Sequence, residues 1–241
     1  MSKDSPYTGR VKIYADGADK STMLELNRDP VIKGLTTNPT LMKQSGITDY
    51  KAFCLDILKE IKEKPISFEV FADDFENMAR QANEIKSWGE NVYVKIPITN
   101  SKGQSCIPLI KDLAHSGIKL NVTALLTLQQ ITETVKAVEG GAPSIVSVFA
   151  GRIADTGRNP VPVMSAAVEI CKSADPNIEL LWASSRELYN VVEADQIGCH
   201  IITCTESIIK KMKNINKDLT QLSLETVQMF KNDAEAAGFQ L

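Results

Sequence analysis

Histidine is scarce in this chain. Only His115, in a helix-like stretch, and His200, at the head of an apolar strand run, occur among 241 residues. Neither has the paired spacing that metal sites favour, so no catalytic metal is expected. Cysteine is little better represented: Cys54, Cys106, Cys171, Cys199 and Cys204 are an odd number without a C-x-x-C pair. That argues against a disulfide framework and a zinc site and leaves reduced core thiols as the expectation. No apolar run approaches the roughly 20 residues of a membrane-spanning helix. The stretch Met1 to Arg10 has no apolar leader segment, so cytoplasmic residence is the default and no membrane partner is expected. Neither sign of charge dominates, with 27 basic against 30 acidic residues and a net charge of −3, and no block of one sign. No electrostatic footprint for nucleic acid follows, although local basic residues can still hold a small anion. Internal repeats, low-complexity stretches and linkers are also lacking.

What is present is an ordinary globular composition, 43% hydrophobic and 24% charged. Short β-rich apolar runs alternate with amphipathic stretches. The strand candidates are Val11 to Ala15, Val31 to Leu35, Ile66 to Phe71, Val92 to Ile96, Ile118 to Val122, Ser144 to Phe149, Ile178 to Ala183 and His200 to Cys204. Helix candidates between them include Tyr50 to Lys62, Asn77 to Trp88, Ser105 to Ala114, Thr127 to Glu139 and Val163 to Ser173. Eight alternations in about the usual 250 residues predict an α/β fold of the (β/α)₈ TIM-barrel kind rather than an open doubly wound sheet. One domain over 1–241 is expected, with an additional C-terminal helix at about 219–237. That helix gathers Leu219, Leu222, Thr226, Phe230 and Ala234 near one face, to cover the barrel or to bind a neighbouring subunit. A homo-oligomer is the expectation.

Lys95 stands out within Val92-Tyr93-Val94-Lys95-Ile96-Pro97, where an ammonium is expensive to bury. A desolvated lysine loses preference for its charged form, and the free amine can attack a carbonyl to form a Schiff base. The alternative is a strand-end lysine that snorkels to water, and its company decides. Barrel enzymes place their chemistry at the C-terminal ends of strands. There the sequence sets Asp16, Thr36-Thr37-Asn38, Glu69, Lys95, Asn121 with Thr123, Ser147 with Arg152, and Ser184-Ser185-Arg186. Equal parity should turn Asn121 and Thr123 one way, and likewise Ser147 and Phe149.

Each residue also has a structural reading. Asn38 with Pro39 reads as a helix start. Ser184 to Glu187 fits an S-x-x-E capping box, although a helix start with Arg186 beside it is also a natural phosphate site. Asp16 can cap the first helix, Arg152 can be solvated on a loop, and Glu69 can be ion-paired. A lysine, a glutamate, an aspartate and two asparagines on one rim are costly to bury for packing alone, and a polar pocket accounts for all of them.

Five ordered segments resemble the successive motifs of transaldolases. They are Gly34-Leu35-Thr36-Thr37-Asn38-Pro39-Thr40-Leu41, Val94-Lys95-Ile96-Pro97-Ile98-Thr99, Leu120-Asn121-Val122-Thr123, Ser147-Val148-Phe149-Ala150-Gly151-Arg152-Ile153 with Asp155, and Ala183-Ser184-Ser185-Arg186. The chain is similar in size to the short transaldolases and the related fructose 6-phosphate aldolases. The resemblance implies a class I aldolase-type transferase that needs no metal or organic cofactor and takes sugar phosphates in the pentose phosphate pathway. Lys95 would form the Schiff base, Glu69 and Thr123 would handle a proton-shuttling water, and Asp16 would take the C4 hydroxyl proton. Asn38 and Asn121, with Ser147, would hold the dihydroxyacetone hydroxyls, Thr36 would also bind substrate, Phe149 would wall the pocket, and Ser184, Arg186 and Arg152 would grip the phosphate.

Gly17, Val148 and Ser185 depart from residues common in the family and bear on acceptor or phosphate specificity. Glu69 and Phe149 resemble the transaldolase branch rather than the aldolase branch, which tends to carry glutamine and tyrosine there. An aldolase releasing free dihydroxyacetone and a catalytically idle sugar-phosphate-binding barrel are the competing readings.

Overall fold

Strand-sized apolar runs that cannot be covered singly are buried by closing on one another. The computed structural model describes residues 7–240; residues 1–6, part of the stretch read above for a leader, and residue 241 lie outside that range. Eight strands run β1 (Lys12–Asp16), β2 (Ile32–Thr36), β3 (Ile66–Glu69), β4 (Val92–Pro97), β5 (Leu120–Leu125), β6 (Ser144–Val148), β7 (Ile178–Trp182) and β8 (Ile201–Thr205). Each pairs in parallel with the next, and β8 returns to β1, so the sheet has no open edge. The helices are α1 (Lys20–Arg28), α2 (Pro39–Gln44), α3 (Tyr50–Leu58), α4 (Phe75–Lys86), α5 (Ile107–His115), α6 (Leu128–Val138), α7 (Ala150–Ala154), α8 (Val161–Ala174), α9 (Tyr189–Gln196), α10 (Glu206–Lys211) and α11 (Leu219–Ala237). This is the (β/α)₈ barrel that the sequence predicts, with its extra C-terminal helix.

Burial follows strand parity. Ile13, Leu35, Phe68, Val94, Val122, Val146, Trp182 and Ile202 belong to the main core cluster, which also holds the buried helix residues. Tyr14, Ile145, Leu181, Ala183 and Ile201 form a second cluster, with Tyr93 and Phe149 packed on it. A register shift between β1 and β2 leaves Lys33 exposed and brings Gly34 opposite Tyr14. A Cβ on Gly34 would stand 2.5 Å from the Tyr14 ring, so only glycine lets that ring lie there. On the helical side, α4 buries Met78, Gln81, Ala82 and Ile85, one stripe at helical spacing, and starts where Asp74 accepts the Asn77 amide.

Four strand ends differ from expectation in ways that matter for the site. β1 and β2 each end one residue later than the apolar runs suggest, which makes Asp16 and Thr36 strand residues that face each other in register. β3 stops at Glu69 instead of continuing to Phe71, because the Phe71 and Ala72 amides donate to Gln81 Oε1 at 2.9 Å each. β5 runs on to Leu125 through an irregularity where Ala124 adopts φ 65°.

The long helix α11 has its predicted span but no buried residue, so within this chain it does not cover the barrel. Leu219, Leu224, Val227 and Phe230 are all at least half exposed on it. All five cysteines are free and buried. Burial pushes the thiols of Cys54, Cys171, Cys199 and Cys204 up to about 12 and that of Cys106 to about 11, which keeps them protonated core groups at neutral pH. Among the described residues, no helix is long and apolar enough to cross a membrane.

Candidate active site

Lys95 lies within β4 and is only 7% exposed, so it does not snorkel to water. Its register partner on β3 is Glu69. Neighbouring strands at one height turn both side chains inward, and Lys95 Nζ stands 3.0 Å from Glu69 Oε2. The same Nζ donates to the Thr37 carbonyl at 2.8 Å. Glu69 is itself fixed by Tyr50 of α3, whose hydroxyl accepts from the Glu69 amide and donates to the Glu69 carbonyl, both at 2.8 Å. The amine is therefore buried, oriented from two sides, and within proton-transfer reach of a carboxylate.

Two further polar groupings line the barrel beside it. Thr36 donates to Asp16 Oδ1 at 2.9 Å and shares a 2.6 Å hydrogen bond with Thr203 of β8. Burial raises the Asp16 carboxyl above its ordinary range; the Lys95 charge and the Thr36 bond oppose that shift, and Glu69 adds to it. A carboxylate so poised is suited to take a proton and return it. On the other side, Ser147 donates to Asn121 Oδ1 at 2.6 Å and Asn121 Nδ2 donates to Ser67 at 3.0 Å. The Thr123 hydroxyl is buried without a protein partner, which leaves its donor and acceptor capacity for a water or a substrate oxygen. Asn121, Thr123 and Ser147 are all buried, as their parity requires.

The remaining predicted residues occupy the rim. Asn38 caps α2, its side-chain oxygen accepting the Leu41 amide at 2.9 Å, with Pro39 at the first helical position. Asp16 does not cap the first helix; Asp19 does, accepting the Thr22 amide, and Asp16 is left to the barrel mouth. Arg152 is not simply solvated, since its guanidinium lies over the Phe149 ring at 5.7 Å. Arg186 reaches Asp155 by two bonds, Nε to Oδ1 at 3.0 Å and Nη2 to Oδ2 at 2.5 Å. Those bonds hold the Asp155 carboxyl below the ordinary carboxylate range.

The capping box expected over Ser184 to Glu187 does not form. Helix α9 begins only at Tyr189, and Ser184 sits in the left-handed region at φ 59°. The Arg186 and Glu187 amides donate instead to Asn190 Oδ1, so a side chain from within the helix caps the turn backwards.

This turn is pressed against the loop after β6. A Cβ on Gly151 would collide with the Ser184 carbonyl oxygen, which also accepts from Arg186 Nη1 at 3.1 Å. Gly151→Ala is therefore expected to destabilise the chain by about 1–3 kcal/mol, the usual cost of forcing extra volume into a packed position. Thermal unfolding should show the loss, and an unchanged midpoint would contradict the close approach.

Sequence reasoning passed over Ser67, Thr203 and Tyr50 and did not foresee the contact made by the carbonyl of Thr37, which it had placed on the rim. Ser67 and Thr203 are polar residues at inward strand positions, and a parity count from Glu69 and along β8 finds them. Thr37 acts through its carbonyl, and Tyr50 reaches β3 from a helix. Nothing local in the sequence marks those last two contacts. Among the described residues, no group of three or more His, Cys, Asp or Glu side chains is placed to hold a metal ion.

A closed parallel barrel with a buried lysine paired to a partly buried glutamate near an aspartate defines a class: a (β/α)₈ protein with its polar site at the C-terminal mouth. The family model described as "Transaldolase/Fructose-6-phosphate aldolase" matches residues 13–241, and the chain belongs to that enzyme family. A protein of Thermoanaerobacter sp. (strain X514) bearing the name "Probable transaldolase" is 32% identical over 234 residues, 96% of this chain and all of the relative. Another of the same name, from Clostridium acetobutylicum, is 33% identical over 215 residues, 89% of this chain and 94% of the relative. Among solved structures, a Burkholderia cenocepacia J2315 protein superposes with TM-score 0.60 at 13% identity, covering 98% of this chain and 86% of the other. KGPDC from Streptococcus mutans gives 0.56 at 9%, covering 83% and 90%. At those identities the likeness concerns the barrel alone.

Proposed function

We propose that this chain is a transaldolase, moving a dihydroxyacetone unit from fructose 6-phosphate or sedoheptulose 7-phosphate to an aldose phosphate through a Schiff base on Lys95. The observation that carries this reading is the buried Lys95 held 3.0 Å from the partly buried Glu69 carboxylate. Transfer of the ammonium proton toward Glu69 frees the amine to attack the ketose carbonyl. The carbinolamine then loses water, with Glu69 and the unpartnered Thr123 hydroxyl handling the proton and the departing oxygen.

Asp16 takes the proton from the C4 hydroxyl. The C3–C4 bond breaks and its electron pair moves into the protonated imine, giving an enamine and a free aldose. The acceptor aldehyde reacts with the enamine carbon, Asp16 returns its proton, and water releases the new ketose. Asn121 with Ser147 hydrogen-bonds the dihydroxyacetone hydroxyls, Thr36 steers Asp16, and Arg186, Ser184 and Arg152 receive the phosphate. Fixing that remote group holds the reacting carbons near Nζ. A homo-oligomer associating through the exposed apolar residues of α11, cytoplasmic residence and a role in the pentose phosphate pathway belong to the same reading.

A coupled assay with fructose 6-phosphate, run with and without erythrose 4-phosphate, tests it. Turnover that requires the acceptor is the expected result. Steady release of free dihydroxyacetone without acceptor would select an aldolase instead, and binding without any turnover would select an idle barrel.

A further inference from the structure

Arg186 is restrained along its whole length before any substrate arrives. Its backbone amide donates to Asn190 Oδ1 at 2.8 Å, Nη1 donates to the Ser184 carbonyl at 3.1 Å, and Nε with Nη2 engages both oxygens of Asp155. A guanidinium carries five N–H donors. Asp155 takes two and Ser184 one, so two remain, one on each terminal nitrogen, which is the number a bidentate phosphate contact uses.

Asp155 is also fixed from its own side. It closes the short helix α7, its amide donating to the Gly151 carbonyl, and Gly151 is the residue pressed against Ser184. The loops after β6 and β7 thus meet in one unit whose exposed product is the free edge of Arg186.

We propose that Asp155 is a specificity-determining positioning residue: it presets Arg186 for a phosphorylated ketose and so sets the preference for phosphorylated over unphosphorylated substrate. This rests on the reading that Arg186 grips the substrate phosphate. Stability is a poor account of the pair, because both side chains are about half exposed, at 47% and 52%, and ion pairs in such settings contribute little to folding. A negative charge beside a phosphate site would also repel the ligand if orientation were not the gain. Without Asp155 the long side chain must be ordered at the moment of binding, and affinity falls by that entropy.

Steady-state kinetics on fructose 6-phosphate and on unphosphorylated fructose, each with the same acceptor, test the proposal with Asp155→Ala, Asp155→Glu and Arg186→Ala. Asp155→Ala should raise KM for the phosphorylated donor by about 3- to 10-fold with kcat within about twofold, and lower the phosphorylated-to-unphosphorylated selectivity by the same factor. Asp155→Glu should recover most of that loss, which a purely structural role would not produce. If Arg186→Ala raises that KM while Asp155→Ala leaves it unchanged or lowers it, the carboxylate is a bystander or a competing charge and the proposal is overturned. If Arg186→Ala has no effect on the phosphorylated donor, the phosphate-grip reading itself fails and takes the proposal with it.

Discussion

Lys95→Met is expected to lower turnover by about 10⁴-fold or more, the scale seen when a covalent nucleophile is removed and only binding and electrostatics remain. Methionine keeps the length of the side chain but cannot form an imine. The substitution also strands two partners, since Glu69 loses its counter-charge at 3.0 Å and the Thr37 carbonyl loses its donor. A destabilisation of about 1–3 kcal/mol is expected from those unmet groups, too little to unfold a barrel of this size. Circular dichroism and a thermal scan separate the two effects. Retained turnover in the folded variant would remove Lys95 from the chemistry.

Asp16→Asn should lower turnover by about 10² to 10⁴-fold, the span of a positioned general acid or base, while leaving imine formation intact. Trapping and turnover should therefore part company in this variant. Its stability should move the other way. Burial raises the folded-state pKa of Asp16 above its unfolded value, so the folded chain binds more protons than the unfolded chain between those two values. Stability is then full below the unfolded value, near 3.9, and is lost as pH rises through the folded one.

At neutral pH, above the unfolded value, the parent bears the cost of a desolvated acid group, whereas the amide has no charge to desolvate and can still accept from Thr36. Asn should thus raise the melting temperature at neutral pH, on the order of 2–4 °C for each kcal/mol relieved. The gain should disappear in acid. A lower midpoint at neutral pH, with a difference that does not depend on pH, would contradict the assignment.

The barrel was legible because its strands are short, apolar and regularly spaced, and parity alone sorted Ser147, Asn121 and Phe149 to the inside. Lys95 and Glu69 stood out because charge in a strand needs a reason, and their pairing across β3 and β4 followed from a register that only coordinates supply. The Ser184 turn misled for a physical reason: S-x-x-E fits a cap wherever a helix starts, but a left-handed Ser184 and Asn190 delay that start until Tyr189. Tyr50 and the Thr37 carbonyl were invisible because one acts across elements and the other through the backbone. The long helix α11 showed its span in its own pattern, but not the absence of any buried residue along it.

Borohydride reduction of the enzyme with fructose 6-phosphate, followed by peptide mapping, tests the covalent step most directly. One reduced adduct is expected, on the peptide carrying Lys95. An adduct on another lysine, or none in folded protein that binds the ketose, would contradict the account.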